Sequence, residues 1–168
     1  MYCKINSYES NKEQYANRIR PQTIRGIGYR IKFIIGKLSI VLSKYTWVAL
    51  NIKGKHFFEL HVKFEEIYTD AQEKVDLIAE RVLTLGFIPM HTFSDYLKHA
   101  TIKEGKNIHE AKEAVELIVS SLQTIIILER AILKTAAALH DEGTTTLLTD
   151  FITQQEKEIW MYSSWLNH

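Results

Sequence analysis

Cysteine is almost missing from this chain: Cys3 is the only one in 168 residues, which excludes an internal disulfide framework and a cysteine-ligated zinc site. A lone thiol near one end fits a reducing compartment. Proline and glycine are scarce as well, at 2 and 7 residues, and their scarcity favours long uninterrupted helices. No phosphate-cradling glycine-rich loop, nucleophile elbow, repeat or low-complexity segment is present. No secretory signal is evident, because Lys4, Glu9, Lys12 and Glu13 interrupt the N-terminus. The most apolar early run, Phe33 to Leu42, is too short to span a bilayer and contains Lys37. These absences predict a cytoplasmic protein with no membrane partner.

What remains is 46% hydrophobic and 24% charged, in a length that suits one domain with a sizeable core. The net charge of +1 hides an asymmetry. Residues 1–37 hold eight basic side chains against Glu9 and Glu13, and the rest of the chain is acidic. A basic arm on an acidic body is the footprint of phosphate neutralisation on DNA without base reading. Arg18, Arg20 and Arg25 are the candidate DNA-binding residues; the alternative is a solubilising tail or a basic helix face.

Residues 54–86 read as one long helix carrying both a core stripe and a polar constellation. On a wheel of ~100° per residue with His61 at zero, Leu60, Phe64, Ile67, Ala71, Val75, Ile78 and Val82 fall in an arc of roughly 240–320°. His61, Glu65, Asp76 and Glu80 fall at about 0, 40, 60 and 100°, a second stripe beside the first. Imidazole and carboxylate together suit iron or zinc. The His61–Glu65 and Asp76–Glu80 pairs, however, are ~22 Å apart along the axis at ~1.5 Å per residue, too far for one ion. If the four share a site, a second copy of the helix must lie antiparallel across a two-fold axis, as in an isologous homodimer. The alternative is a solvated helix face.

The remaining elements follow from periodicity and punctuation. Residues 1–30 show no sustained period and are expected to form an arm, ahead of a domain over 31–168. Ile31 to about Asn51 forms a first core helix, and IKGK at 52–55 a tight connection. After Gly86 a long link runs through Pro89, with a short helix to His99 capped by Thr92 or Ser94. Asn107-Ile108-His109-Glu110 reads as a capping box opening a helix to about His140, and Thr144 or Thr145 begins a last helix through about Trp165. The predicted fold is all-α, a four-helix bundle with a long crossover between helices 2 and 3, which is the ferritin-like topology.

The residues also resemble a family signature. Asn51-x-Lys53-Gly54-x-His56-Phe57-Phe58-x-Leu60-His61-x-x-x-Glu65, followed by Asp76-x-Ile78-Ala79-Glu80-Arg81, is similar to the pattern of the Dps family, DNA-binding proteins from starved cells. Thr92 to Leu97 and Glu156-Lys157-x-x-Trp160-Met161 extend the match over roughly two thirds of the chain. The resemblance implies a hollow dodecamer built from two-fold dimers. It implies that iron(II) is oxidised at the two-fold interfaces, preferably by hydrogen peroxide, and stored inside as a ferric mineral that spares DNA from oxidative stress. His61 and Glu65 of one subunit, with Asp76 and Glu80 of another, would be the iron ligands and ferroxidase residues. Asp141 and Asp150 lie near positions where the family lines its three-fold pores with acids.

One departure bears on this chemistry. The family pattern has a His-Trp pair just before Asn51, its His completing the iron site, where this chain has Ala49-Leu50. No histidine lies between Lys44 and Asn51, and Trp47 is the nearby aromatic that could replace the missing Trp. The second functional reading is therefore a nucleoid-binding shell with weakened or lost ferroxidation, and the third a plain helical oligomer.

Overall fold

The structure, a computed structural model, describes residues 25–99, 102 and 105–167. Four long helices, α1 (Arg25–Asn51), α2 (Phe57–Thr84), α4 (Ala111–Ala138) and α5 (Glu142–Leu166), form a bundle, and a short α3 (Phe93–His99) lies in the crossover between α2 and α4. This is the ferritin-like arrangement expected from the sequence, with no strand among the described residues.

The stripe of α2 faces inward as its period requires: Leu60, Phe64, Ile67, Ala71, Ile78 and Val82 are buried. Val75 is only half-buried, and Lys74 takes a place in the interior instead. From α1 the core receives Ile27, Ile31, Ile34, Leu38, Val41 and Tyr45, and the Tyr45 hydroxyl donates to the Ile118 carbonyl at 3.2 Å, so the phenol is satisfied inside the bundle. Each of these aliphatic side chains contributes about 1.5–3 kcal/mol by leaving water.

Helix α1 starts six residues before the expected Ile31. The expected arm over residues 1–30 ends in a stretch with two glycines, Gly26 and Gly28, but Gly28 has a packing role: an added Cβ would lie 2.1 Å from a ring carbon of Phe87. Glycine lets that ring lie against the helix, and Ile27, fully buried, continues the apolar stripe. The span Gly26–Asn51 is also long and apolar enough to cross a membrane, unlike the Phe33–Leu42 run alone; here its apolar face packs on α2 and α4.

The connection after α1 is held by a cross-link. Gly54, at φ +98°, makes the turn, while Lys53 N–H donates to the His109 carbonyl and His109 Nδ1 donates to the Asn51 carbonyl, both at 3.1 Å. That engagement corrects the expected capping box. Asn107 turns left-handed at φ +58°, Glu110 is the extended N-cap without a side-chain bond, and α4 begins only at Ala111. Residues 107–110 clamp the α1–α2 loop instead of starting a helix. In α3 the expected cap is present: Thr92 Oγ1 accepts from Asp95 N–H at 3.3 Å and donates to its carboxylate at 2.6 Å.

Candidate metal site on the exposed face of α2

Helix α2 presents His61 at its partly exposed shoulder and Glu65, Asp76 and Glu80 in the open. His61 Nδ1 lies 2.9 Å from the Ala49 carbonyl in the last turn of α1. A carbonyl can only accept, so Nδ1 carries the hydrogen and Nε2 keeps its lone pair. The ring is also stacked on Phe57, with centroids 5.3 Å apart and planes 22° apart. Backbone and aromatic contact together fix the imidazole before any ligand arrives, the arrangement by which outer contacts orient a metal-binding histidine.

Within the described residues neither Asp76 nor Glu80 has an intramolecular partner. Glu65 has Tyr68 beside it, one turn on, whose hydroxyl is pushed up first by desolvation and then by that carboxylate. The sequence reading missed Tyr68; its signal was the i, i+3 spacing from Glu65, which puts both on one face. Among the described residues no group of three or more His, Cys, Asp or Glu comes together within the subunit to hold a metal. The separation of the two pairs along α2 is thus not bridged by the fold.

The apolar residues flanking this stripe are exposed too. Phe58 (82% exposed) and Val62 lie at the N-terminal end of the face, and Leu77 and Leu83 toward the other. Trp47 and Leu50 extend the apolar surface along α1, while Ala49, between them in sequence, is fully buried. Exposed apolar side chains beside a polar stripe suit a contact with another subunit.

The acids proposed for a pore separate. Asp150 is exposed on α5. Asp141 is buried: it N-caps α5 by accepting from Thr144 N–H at 3.3 Å and from Thr144 Oγ1 at 2.6 Å, and it pairs with Arg81 from the end of α2. Its carboxylate is engaged inside the subunit, and the last helix starts at Glu142, ahead of the expected Thr144 or Thr145. Arg18 and Arg20 lie outside the described residues, and Arg25 opens α1. Of the other histidines, His56 pairs with Glu59 at 2.6 Å, His91 bonds the Pro89 carbonyl at 3.1 Å, and His99 packs on Phe33.

A second polar cluster runs from the surface between α2 and α5 into the bundle interior. Lys74 pairs with Asp70; Gln154 Nε2 donates to Asp70 at 2.8 Å and to Glu158 at 3.3 Å; Gln155 Nε2 donates to Glu129 at 3.1 Å. Glu129 is fully buried, and desolvation pushes its carboxyl up to about 7 despite the Gln155 hydrogen bond and the Lys74 charge. The sequence signals were Lys74 beside the apolar arc of α2, and Glu129 between the core positions Ile125 and Ile132 of α4.

Comparison with known proteins matches residues 34–168 to the family model described as ferritin-like domain. The chain is 45% identical over 120 residues to an uncharacterised protein of Haemophilus influenzae, covering 71% of this chain and 73% of that protein. It is 36% identical over 139 residues to the DNA protection during starvation protein of Porphyromonas gingivalis, covering 79% and 87%. Among solved structures, the Dps protein of Vibrio cholerae O1, described as a member of a broad superfamily of ferritin-like diiron-carboxylate proteins, superposes with a TM-score of 0.83 at 40% identity, over 86% of this chain and 91% of that one.

Proposed function

Because the chain belongs to the Dps family of ferritin-like proteins, we propose that it assembles as a cytoplasmic homo-oligomer, a dodecamer, that oxidises iron(II) at its two-fold contacts and stores the ferric product. The observation that carries this reading is the preset His61 imidazole, with Nε2 free, on an exposed α2 face that also bears Glu65, Asp76 and Glu80. An antiparallel second copy of α2 would bring the Asp76–Glu80 pair of one subunit to the His61–Glu65 pair of the other. The same operation would lay the Leu77 and Leu83 end onto Phe58 and Val62, covering the exposed apolar residues.

In this reading iron(II) is the substrate. The carboxylates of Glu65, Asp76 and Glu80 neutralise its charge and favour the ferric product, a harder cation, and His61 Nε2 orients it. Two iron(II) ions each lose one electron to hydrogen peroxide, which takes up two protons and leaves as water. Keeping iron and peroxide together at the site removes both from the vicinity of DNA.

A second reading, a DNA-binding shell with slowed oxidation, is favoured by Ala49: a buried methyl stands where the family pattern has a histidine, and only its backbone carbonyl reaches the site, through His61. Losing one ligand lowers affinity, and ~10–100-fold is the range that even outer contacts cost. Ferric absorbance after iron(II) addition, with and without peroxide, tests both readings against an Asp76→Ala, Glu80→Ala variant. Oxidation faster than in the variant and in buffer supports the first; superimposed traces overturn it. In the second case DNA retardation that weakens steeply with salt, and that Arg18, Arg20 and Arg25 changed to Glu abolish, supports the shell.

A further inference from the structure

A cleft of about 340 Å³ lies between α2 and α5, on a face of α2 turned away from the His61 stripe. It is of the size that small-molecule sites have. Its floor is apolar, built from Leu60 and Ile67 of α2 and Met161, Tyr162 and Trp165 of α5. The Tyr162 hydroxyl donates to the Lys63 carbonyl at 3.1 Å, so what the residue offers the cleft is its ring.

The rim is acidic. Glu59, Glu66, Asp70 and Glu158 line it against one cation, Lys63. Two of the four pair with lysines, Glu66 with Lys63 and Asp70 with Lys74, and Glu59 is bonded to His56 at 2.6 Å. Among the described residues Glu158 has no such pair. Its Oε1 accepts from Gln154 at 3.3 Å, and its Oε2 is buried without a partner. Burial pushes this carboxyl up to about 7 against the opposing Lys74 charge and the Gln154 hydrogen bond.

We propose that this cleft binds a small amphiphilic cation, an aryl- or alkylammonium, whose charged head pairs with Glu158 and whose apolar body lies on Leu60, Ile67 and the rings of Tyr162 and Trp165. The acidic rim selects the sign of the ligand charge, the floor supplies the contact area, and the aromatic faces attract the cation. Nothing in this site uses the iron chemistry of the other α2 face.

The test uses the intact, metal-free oligomer and three probes of one shape: 2-phenylethylammonium, 2-phenylethanol and phenylacetate, followed by ligand-observed NMR and calorimetry. The ammonium is expected to bind saturably and about tenfold or more tightly than the alcohol, the advantage of a charged hydrogen bond, with phenylacetate weakest. Glu158→Gln should bring the ammonium and the alcohol to similar affinity. Met161→Arg, at an exposed position on the floor's edge, should weaken the ammonium at least tenfold without disturbing the core; Ile67→Trp should fill the cleft and abolish binding. Equal binding of ammonium and alcohol to the unmodified protein would make this an apolar cleft only. Ammonium binding unchanged by Met161→Arg would place the ligand elsewhere, and no saturable binding at millimolar probe would also overturn the proposal.

Discussion

The side chain of His61 is tied to the backbone of Ala49, Nδ1 to carbonyl oxygen at 2.9 Å, across the junction of α2 with the end of α1. The residue at 49 thus shapes the candidate site through its peptide group, whatever its side chain. His61→Ala should remove both the ligand and this inter-helix bond. Iron(II) affinity is expected to fall at least tenfold and stability by about 1 kcal/mol, read by iron titration and urea unfolding. His61→Asn, which keeps a donor near the carbonyl, should recover part of the stability and little of the iron binding. Full iron binding in either variant would remove His61 from the site.

Lys74 is the cation among the carboxylates of the polar cluster, 3% exposed and paired with Asp70. Lys74→Ala leaves Asp70, Glu129 and Glu158 without its charge and opens a cavity. The expected cost is about 3–5 kcal/mol in urea unfolding, the range for breaking a buried pair. Lys74→Met combined with Asp70→Leu removes the pair together and should cost much less. A single variant as stable as the parent would show that the Lys74 charge is not needed there.

The apolar positions of α2 were legible in the sequence because a 3.6-residue period over that length has one inward solution, and six of the seven predicted core residues are buried. Punctuation misled where tertiary contacts override local preference. Gly28 reads as a breaker but accommodates Phe87, and Asn107 reads as a cap although His109 is recruited by the α1–α2 loop. The Asp141–Arg81 pair joins residues 60 apart in sequence, so no local pattern announces it. The four polar residues on α2 could be placed on one face from spacing alone, but whether they meet depends on a second copy.

Glu129 gives stability a pH dependence. Its carboxyl titrates at about 7 when folded and at 4.5 ordinarily, so between these values the native protein holds a proton that the unfolded chain has lost. This contribution to stability is greatest below about 4.5, declines as pH rises through that window, and levels off above 7. The full effect is on the order of 3 kcal/mol. Glu129→Gln keeps an acceptor for Gln155 and never charges. It should be more stable than the parent at pH 8, with the gap closing by pH 5; a gap independent of pH would mean Glu129 is not the titrating group.

Asp141 and Asp150, both candidate pore acids from the sequence, should respond oppositely to replacement. Asp141→Ala removes the α5 cap and leaves the half-buried Arg81 without its carboxylate partner, two losses that together are expected to cost about 2–4 kcal/mol. Asp150 is exposed, and Asp150→Ala should change stability by less than ~0.5 kcal/mol. If Asp150 lines an entry path for cations, its loss slows iron uptake into the assembled shell while the rate at saturating iron is retained, since electrostatic attraction acts on arrival and not on chemistry. The comparison therefore needs both thermal unfolding and uptake at two iron concentrations. A stable Asp141→Ala protein would overturn the capping role, and unchanged uptake in Asp150→Ala at low iron would remove that residue from the path.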